Sequence, residues 1–272
     1  MQIREDLRGP REKTGIGLRL RVLLGIGAAM MISLVGTLLL CVIGCLTFFR
    51  ARRFYSEVVV RSMTRAGLWC CGLRLVEHRD FPLSGSQTVY ISNHTSSLDF
   101  LVVTSLGLPR TRYFLSGFLR RVIPIGVIGY IMGVFWTASQ DFPEKRRLLF
   151  QQAERTLRRT GESVFLTPEG QQIGRFNKGA FHLATNLAAP IQPIYVDIPS
   201  DIDPGPWLRD KKLDLRPGQV DVYFGPLIDT SSWTLEDLES NRDSVRDLYA
   251  QWKDQLRTVI RSGEGTEATE GD

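Results

Sequence analysis

Between Arg21 and Arg50 the chain runs for 28 residues, Val22 to Phe49, without a single charge, and is rich in Leu, Ile, Val, Met and Gly. A bilayer core takes roughly 20 apolar residues per helix, so the run is long enough to span one with tilt. A secretory signal would carry a shorter apolar core, roughly 7 to 15 residues, followed by a small-residue cleavage site. The reading is therefore a retained membrane anchor over 22–49. Its geometry is either transmembrane or re-entrant, the latter as two half-helices broken near Gly36.

Charge is distributed around this run rather than along the whole chain. Residues 1–65 hold 11 Lys and Arg against 4 Asp and Glu, a larger surplus than the +5 of the entire protein, so the remainder is slightly acidic. Arg4, Arg8, Arg11, Lys13, Arg19 and Arg21 form a basic segment, 1–21, ahead of the run, and Arg50, Arg52 and Arg53 follow it. Clustered beside an apolar run, these cations fit anionic headgroups; no nucleic-acid partner is expected despite the high pI. With both flanks basic, the positive-inside rule gives no orientation.

Over 50–75 the residues Tyr55, Val58, Val59, Met63, Ala66, Trp69 and Cys70 recur at three- and four-residue spacing, with Arg53, Glu57, Arg61, Thr64 and Arg65 opposite. That pattern predicts an amphipathic juxtamembrane helix, lying on the membrane surface or facing the core of a soluble domain. Four cysteines, Cys41, Cys45, Cys70 and Cys71, fall in this region without metal-site spacing, so no metal is expected and packing is their role. The rest, 76–261, is one domain.

Within it, strand-like runs at Thr88–Ser92, Ser163–Thr167, Ile191–Ile198 and Val220–Phe224 alternate with helix-like ones at Leu98–Leu106, Pro143–Arg159 and Lys178–Leu187. The alternation predicts an α/β fold with a mixed or largely parallel sheet covered by helices, and active-site loops at strand ends. The uncharged stretch Val122–Trp136 reads as a buried strand-turn segment or as an acyl-tunnel wall. Residues 201–218 read as a surface loop. Val245, Leu248, Tyr249, Trp252, Leu256, Val259 and Ile260 mark a terminal amphipathic helix, and 262–272 an acidic, disordered tail.

Two segments carry chemistry. Asn93-His94-Thr95-Ser96-Ser97-Leu98-Asp99 follows a strand and sets a histidine five positions before an aspartate. A neutral imidazole takes a proton from an alcohol near neutral pH, while a carboxylate on its other nitrogen fixes the tautomer and stabilises the imidazolium. Residues five apart lie about 140° apart on a helix, so the two meet only where the segment begins as a turn. Phe165-Leu166-Thr167-Pro168-Glu169-Gly170 leads from a second strand through Gly174, Arg175, Phe176, Asn177, Lys178 and Gly179 into a helix. Such a loop can aim backbone N–H groups at an anion, with Arg175 and Lys178 adding positive charge. No Gly-x-Ser-x-Gly elbow is present for a serine nucleophile.

Together the segments resemble the glycerolipid acyltransferase family, whose best-known members are 1-acylglycerol-3-phosphate acyltransferases. His94 and Asp99 fall on the family's His-x4-Asp motif, and Pro168-Glu169-Gly170 on its Pro-Glu-Gly motif. Phe176–Ala184 and Ala189-Pro190-Ile191-Gln192-Pro193-Ile194 match the segments that follow, so the resemblance covers roughly Thr88 to Ile198. It implies that His94 deprotonates an acceptor hydroxyl, which attacks an acyl thioester directly, with Asp99 orienting His94. Glu169 and Gly170 would help shape the acceptor site; the loop's own cations, Arg175 and Lys178, are the further candidates for binding the acceptor. The resemblance implies no cofactor beyond the co-substrate, acyl-CoA or acyl carrier protein. The other partners are membrane lipids and a lysolipid acceptor, 1-acyl-sn-glycerol-3-phosphate, which would make the product phosphatidic acid. The enzyme would sit in the inner or cytoplasmic membrane, with its catalytic domain on the cytoplasmic side, where acyl thioesters are found.

The chain departs from the family pattern at two places. Members acting on phosphate-bearing acceptors carry an arginine after the second motif's apolar run and another after Pro-Glu-Gly-Thr, whereas here the stretches read Gly133-Val134-Phe135-Trp136-Thr137-Ala138-Ser139 and Pro168-Glu169-Gly170-Gln171-Gln172. Serine and glutamine cannot reproduce arginine's bidentate grip on phosphate. Arg175, Lys178, Arg120, Arg121 or Lys145-Arg146-Arg147 could take over. Otherwise the acceptor is another lysophospholipid or a lipid-linked alcohol, or the protein binds lipid without turnover, or His94 activates water for lipid hydrolysis.

Overall fold

The computed structural model describes residues 16–94, 96, 98–138, 142–169, 176–199, 202 and 215–267. The basic segment 1–15 and most of 200–214 lie outside these.

Seven strands form one sheet: β1 (Leu73–His78), β2 (Val89–Ser92), β3 (Thr111–Ser116), β4 (Phe135–Thr137), β5 (Ser163–Leu166), β6 (Ile191–Asp197) and β7 (Gly218–Phe224). Their spatial order is β1-β7-β6-β2-β5-β3-β4. The five strands from β6 to β4 run parallel, β7 pairs antiparallel with β6, and β1 runs parallel to β7. The sheet is therefore mixed and mostly parallel, as the alternating pattern predicts. Because β1 and β7 run the other way, their first residues lie at the same end of the sheet as the last residues of the other strands.

Residues alternate across the sheet with the period of two that a pleat imposes. Tyr90, Tyr113, Phe165, Ile194 and Val196 point into one core, and Val89, Ile91, Phe114, Val164, Leu166 and Ile191 into the other. The first core is closed by α1 (Ile16–Leu46), α3 (Arg61–Cys70), α4 (Asp99–Ser105) and α5 (Ile125–Met132). The second is closed by α6 (Pro143–Thr160), α7 (Gly179–Leu187) and α8 (Leu238–Glu267). The short helix α2 (Arg52–Phe54) and a wide π-helical turn over Tyr55–Val60 lead into α3.

α6 shows how local sequence sets these elements. Proline stands in its first turn beside Glu144, Arg158 and Arg159 lie in its last turn, and Gly161 ends it at φ 62°. Proline is tolerated there because that N–H has no helical partner, the charges oppose the helix dipole, and only glycine takes the left-handed cap freely.

α1 is continuous through Gly36, so the half-helix pair broken near that glycine is not formed. The reversal comes later, where Phe48 and Phe49 both adopt left-handed φ of 51° and 55°. From there the chain returns antiparallel along α1. Thr47 hydrogen-bonds Tyr55, Gly36 faces Met63, Ala29 faces Gly67, and Gly25 abuts Cys70. Gly36 is thus a point of close helix approach rather than a hinge, which is why glycine occupies it.

The returning helix packs against α1, α4 and β1, so it faces a core rather than lying free on a surface. Tyr55, Val60 and Leu68 are buried, while Trp69 and Val58 from the expected apolar stripe are exposed. The π-helical turn rotates the following residues about the axis, which shifts the stripe. The stretch Val122–Trp136 also differs from a buried strand-turn: it folds as α5 followed by β4, with Ile123 and Tyr130 exposed. Finally, α8 continues to Glu267, into the segment 262–272 read as a disordered tail; once nucleated, a helix adds residues at little cost.

Candidate active site

The site forms where β2 and β5 end. Beyond Ser92, the side-chain amide of Asn93 pairs both ways with Val196 of β6: Nδ2 donates to the Val196 carbonyl at 2.8 Å, and Oδ1 accepts the Val196 N–H at 2.8 Å. This side chain continues the β2–β6 ladder by one step and so fixes where the next residue, His94, leaves the sheet.

His94 Nδ1 lies 2.8 Å from Asp99 Oδ2. The pair meets because α4 begins only at Asp99, so His94 is not carried on that helix. Between them, Ser96 Oγ accepts the Leu98 N–H at 2.9 Å, and the Ser96 N–H donates to Asp99 Oδ2 at 3.0 Å. One carboxylate oxygen thus holds the Ser96 main chain and receives the imidazole. The Asp99 side chain is 3% exposed and that of His94 47%, so the acid is sealed while the base faces outward.

Glu169, just past β5, is buried, and its Oε2 accepts the His94 backbone N–H at 2.7 Å. Glu169 also pairs with Phe176 through the main chain, which joins the two ends of the glycine-bearing loop. The hydrogen bond to Asp99 raises the pKa of His94 above the ordinary histidine range; burial opposes this, and the charges of Asp99 and Glu169 add to it.

Of the residues singled out in the sequence, the structure brings together His94, Asp99 and Glu169. Lys178 is engaged by Glu239 of α8. Gly170 and Arg175 lie outside the described residues. Among the alternative cations, Arg120 and Arg121 sit on the exposed turn after β3, and Arg147 pairs with Glu144.

Two residues escaped the sequence reading. Asn93 was part of the motif, but a single asparagine after a strand gives no sign that it bridges to a strand 103 positions away. Tyr249 of α8 read only as part of an apolar stripe. Its hydroxyl donates to the Ile91 carbonyl at 2.8 Å and accepts the Ile194 N–H at 3.2 Å, between β2 and β6. Burial, with Glu169 and Tyr195 adding to it, holds its pKa well above the usual tyrosine range.

This chemistry can be set beside known proteins. Residues 74–197 match the family model described as Acyltransferase. Over 239 residues the chain is 26% identical to the 1-acyl-sn-glycerol-3-phosphate acyltransferase of Haemophilus influenzae, covering 84% of this chain and 91% of that one. It is 37% identical over 123 residues to the chloroplastic enzyme BAT2 of Brassica napus, covering 42% of this chain and only about a third (34%) of that protein. The fold is that of the crystal structure of the 1-acyl-sn-glycerophosphate (LPA) acyltransferase PlsC from Thermotoga maritima, with a TM-score of 0.68 at 16% identity over 88% of this chain and 97% of that one. In motif spacing, in fold and in sequence over residues 74–197, the chain is similar to acyltransferases of the His-x4-Asp type.

Proposed function

We propose that the protein is a membrane-bound O-acyltransferase that moves a fatty acyl group from an acyl thioester to the free hydroxyl of 1-acyl-sn-glycerol-3-phosphate. The observation that carries this reading is the outward-facing His94 held through Nδ1 by a sealed Asp99. With Nδ1 so engaged, Nε2 is the nitrogen that takes the acceptor's proton. The acceptor oxygen attacks the thioester carbonyl, the C–S bond breaks, and the imidazolium returns its proton to the departing thiolate, giving an ester and a free thiol. Asp99 stabilises the imidazolium between those two transfers. Glu169 acts through the main chain of His94 as a positioning residue.

The membrane part of the proposal rests on α1. By length and composition Leu20–Leu46 could cross a bilayer. Its outer face exposes Leu23, Leu24, Met30, Met31, Leu34, Val35, Leu38, Leu39 and Val42. A contiguous apolar face of this size is costly in water and marks a lipid contact. Yet α1 is paired along its length with α3, which is itself packed on the domain and carries Arg61 and Arg65. A full crossing would draw those cations towards hydrocarbon depth, which is expensive. We therefore read α1 as an anchor that sinks its open face into one side of the bilayer. Phe118 and Ile123, exposed on the connection between β3 and β4 at the same end of the sheet as His94, extend that face towards the site. The catalytic domain then remains at the cytoplasmic surface, in reach of soluble acyl donors.

A second reading, a different lysolipid or lipid-linked alcohol as acceptor, is favoured by the absence of arginine from Gly133–Ser139 and Pro168–Gln172, where the resemblance leads one to expect it for a phosphate-bearing acceptor. The deciding experiment offers radiolabelled acyl-CoA with lysophosphatidate, other lysophospholipids and uncharged lipid alcohols in parallel. Preferential transfer to lysophosphatidate supports the proposal. Transfer only to another acceptor replaces the substrate, and transfer to none moves the protein to a lipid-binding role.

A further inference from the structure

The ring of Tyr249 is buried against Phe176, Tyr195 and Trp252, at centroid distances of 5.4, 6.3 and 5.8 Å. A phenylalanine would fill the same place, and a buried hydroxyl is costly unless it is bonded, so the information lies in where the oxygen sits. It donates to the Ile91 carbonyl at 2.8 Å and accepts the Ile194 N–H at 3.2 Å, with the Ile194 carbonyl 3.1 Å away as an alternative acceptor. The pairing of β2 with β6 ends at Ser92 and Ile194, so one oxygen holds the two strands together where their ladder runs out. Asn93 then takes over through Val196, and His94 follows directly.

Tyr249 also meets the second support of His94. Glu169, which accepts the His94 N–H, pairs through its main chain with Phe176, and the Phe176 ring stands edge-on to that of Tyr249 at 69°. Burial, with the charge of Glu169 adding to it, keeps the phenol protonated, and so able to donate, across the range in which a histidine titrates. Asp99 is fixed from the other side: it begins α4, whose Val102 and Val103 belong to the first core, whereas Tyr249 belongs to the second. The 2.8 Å between His94 Nδ1 and Asp99 Oδ2 is therefore set across the sheet, between an acid placed by one face and a base whose main chain is placed from the other.

We propose that Tyr249 is a positioning residue for the reaction, whose hydroxyl, acting through the main chain of β2 and through Phe176 and Glu169, holds His94 at bonding distance from Asp99. The proposal rests on the reading of His94 as the base and adds a residue from the far end of the chain to its support.

The test titrates the full-length protein, isotope-labelled at its histidine rings, by NMR in detergent, with His94→Ala identifying one signal among three histidines. In Tyr249→Phe the ring packing and the β2–β6 pairing remain, so the fold persists. The pKa of His94 should fall from its raised position towards the ordinary histidine range, because the hydrogen bond to Asp99 is the first cause of the rise. In the same variant kcat should drop about 10–100-fold, the cost of misplacing a reacting group by roughly 1 Å, while KM for acceptor and thioester stays within about twofold. Val245→Ala is the control, a buried residue of the same helix and core that carries no polar atom. It should lower the midpoint of thermal unfolding yet keep the wild-type His94 pKa and kcat. An unmoved His94 pKa or kcat in Tyr249→Phe, a loss expressed in KM alone, or equal changes in Val245→Ala would each overturn the proposal. The titration needs no turnover, so failure of the wild type to transfer acyl groups would sink the acyltransferase reading separately.

Discussion

A histidine that acts as a base must be neutral when the acceptor arrives, and His94 is held partly against that requirement. Its pKa is raised, first by the hydrogen bond to Asp99. Activity should therefore climb with pH through a limb lying above the ordinary histidine range. In Asp99→Asn that bond's contribution disappears, so the limb should move to lower pH while kcat falls about 100-fold or more, because the imidazolium loses its partner; pH–rate profiles of both proteins check this. The sign for stability is opposite. A raised folded pKa contributes stability that is fully present below the unfolded value and lost as pH rises through the folded one, so the His94–Asp99 pair steadies the fold most where the enzyme turns over least. Asn93 has a structural counterpart to this role: Asn93→Ala would leave the N–H and C=O of Val196 unpaired in a buried place, costing about 2–4 kcal/mol, readable by denaturant unfolding. His94 and Asp99 were legible in the sequence because their spacing has a chemical meaning that side chains alone convey. Asn93 and Tyr249 were not, because each acts on the main chain of strands remote in sequence, and such a contact leaves no local pattern.

At the scale of elements, the seam between α1 and α3 decides how the proposed anchor sits. A Cβ at Gly25 would overlap the carbonyl oxygen of Cys70, a main-chain atom that cannot step aside, whereas at Gly36 it would meet the flexible end of Met63. Gly25→Ala should thus lower the midpoint of thermal unfolding in detergent clearly more than Gly36→Ala, for which helix propensity offsets part of any crowding. Equal effects would show that the helices are not held together here. The apolar run, β2, β5, β6, β7 and the helices α4, α6 and α7 could be read from period and punctuation. β1 could not, since Leu73–His78 interleaves charges as an edge strand does and follows the helix by only two residues. β4 is three residues long, too short to show any period, and α5 carries two glycines that weaken a helical signal. The position of the reversal after α1 was equally hidden, because it depends on two phenylalanines in left-handed conformations that their side chains disfavour.

For the whole molecule, the sheet separates two tasks. The face covered by α1 and α3 carries the exposed leucines, while α6, α7 and α8 enclose a core on the far side, from which Tyr249 reaches the main chains of β2 and β6. A chain built this way should partition onto bilayers through its first fifty residues yet hold its catalytic geometry independently of them. Exchanging Leu34, Leu38 and Val42 for serine should release most of the protein from vesicles in a sedimentation assay while leaving His94-dependent turnover of a detergent-dispersed acceptor within a few-fold of wild type; loss of turnover along with binding would tie the anchor to the fold itself. The central claim, that His94 is the base and that no acyl-enzyme intervenes, is tested most directly by single-turnover acyl transfer from radiolabelled acyl-CoA, comparing wild type with His94→Ala at equal membrane binding. The predicted result is a rate lower by about 10²–10⁴ in the variant, with no label retained on the wild-type protein at any time; wild-type rates in His94→Ala, or label held covalently by the protein, would contradict it.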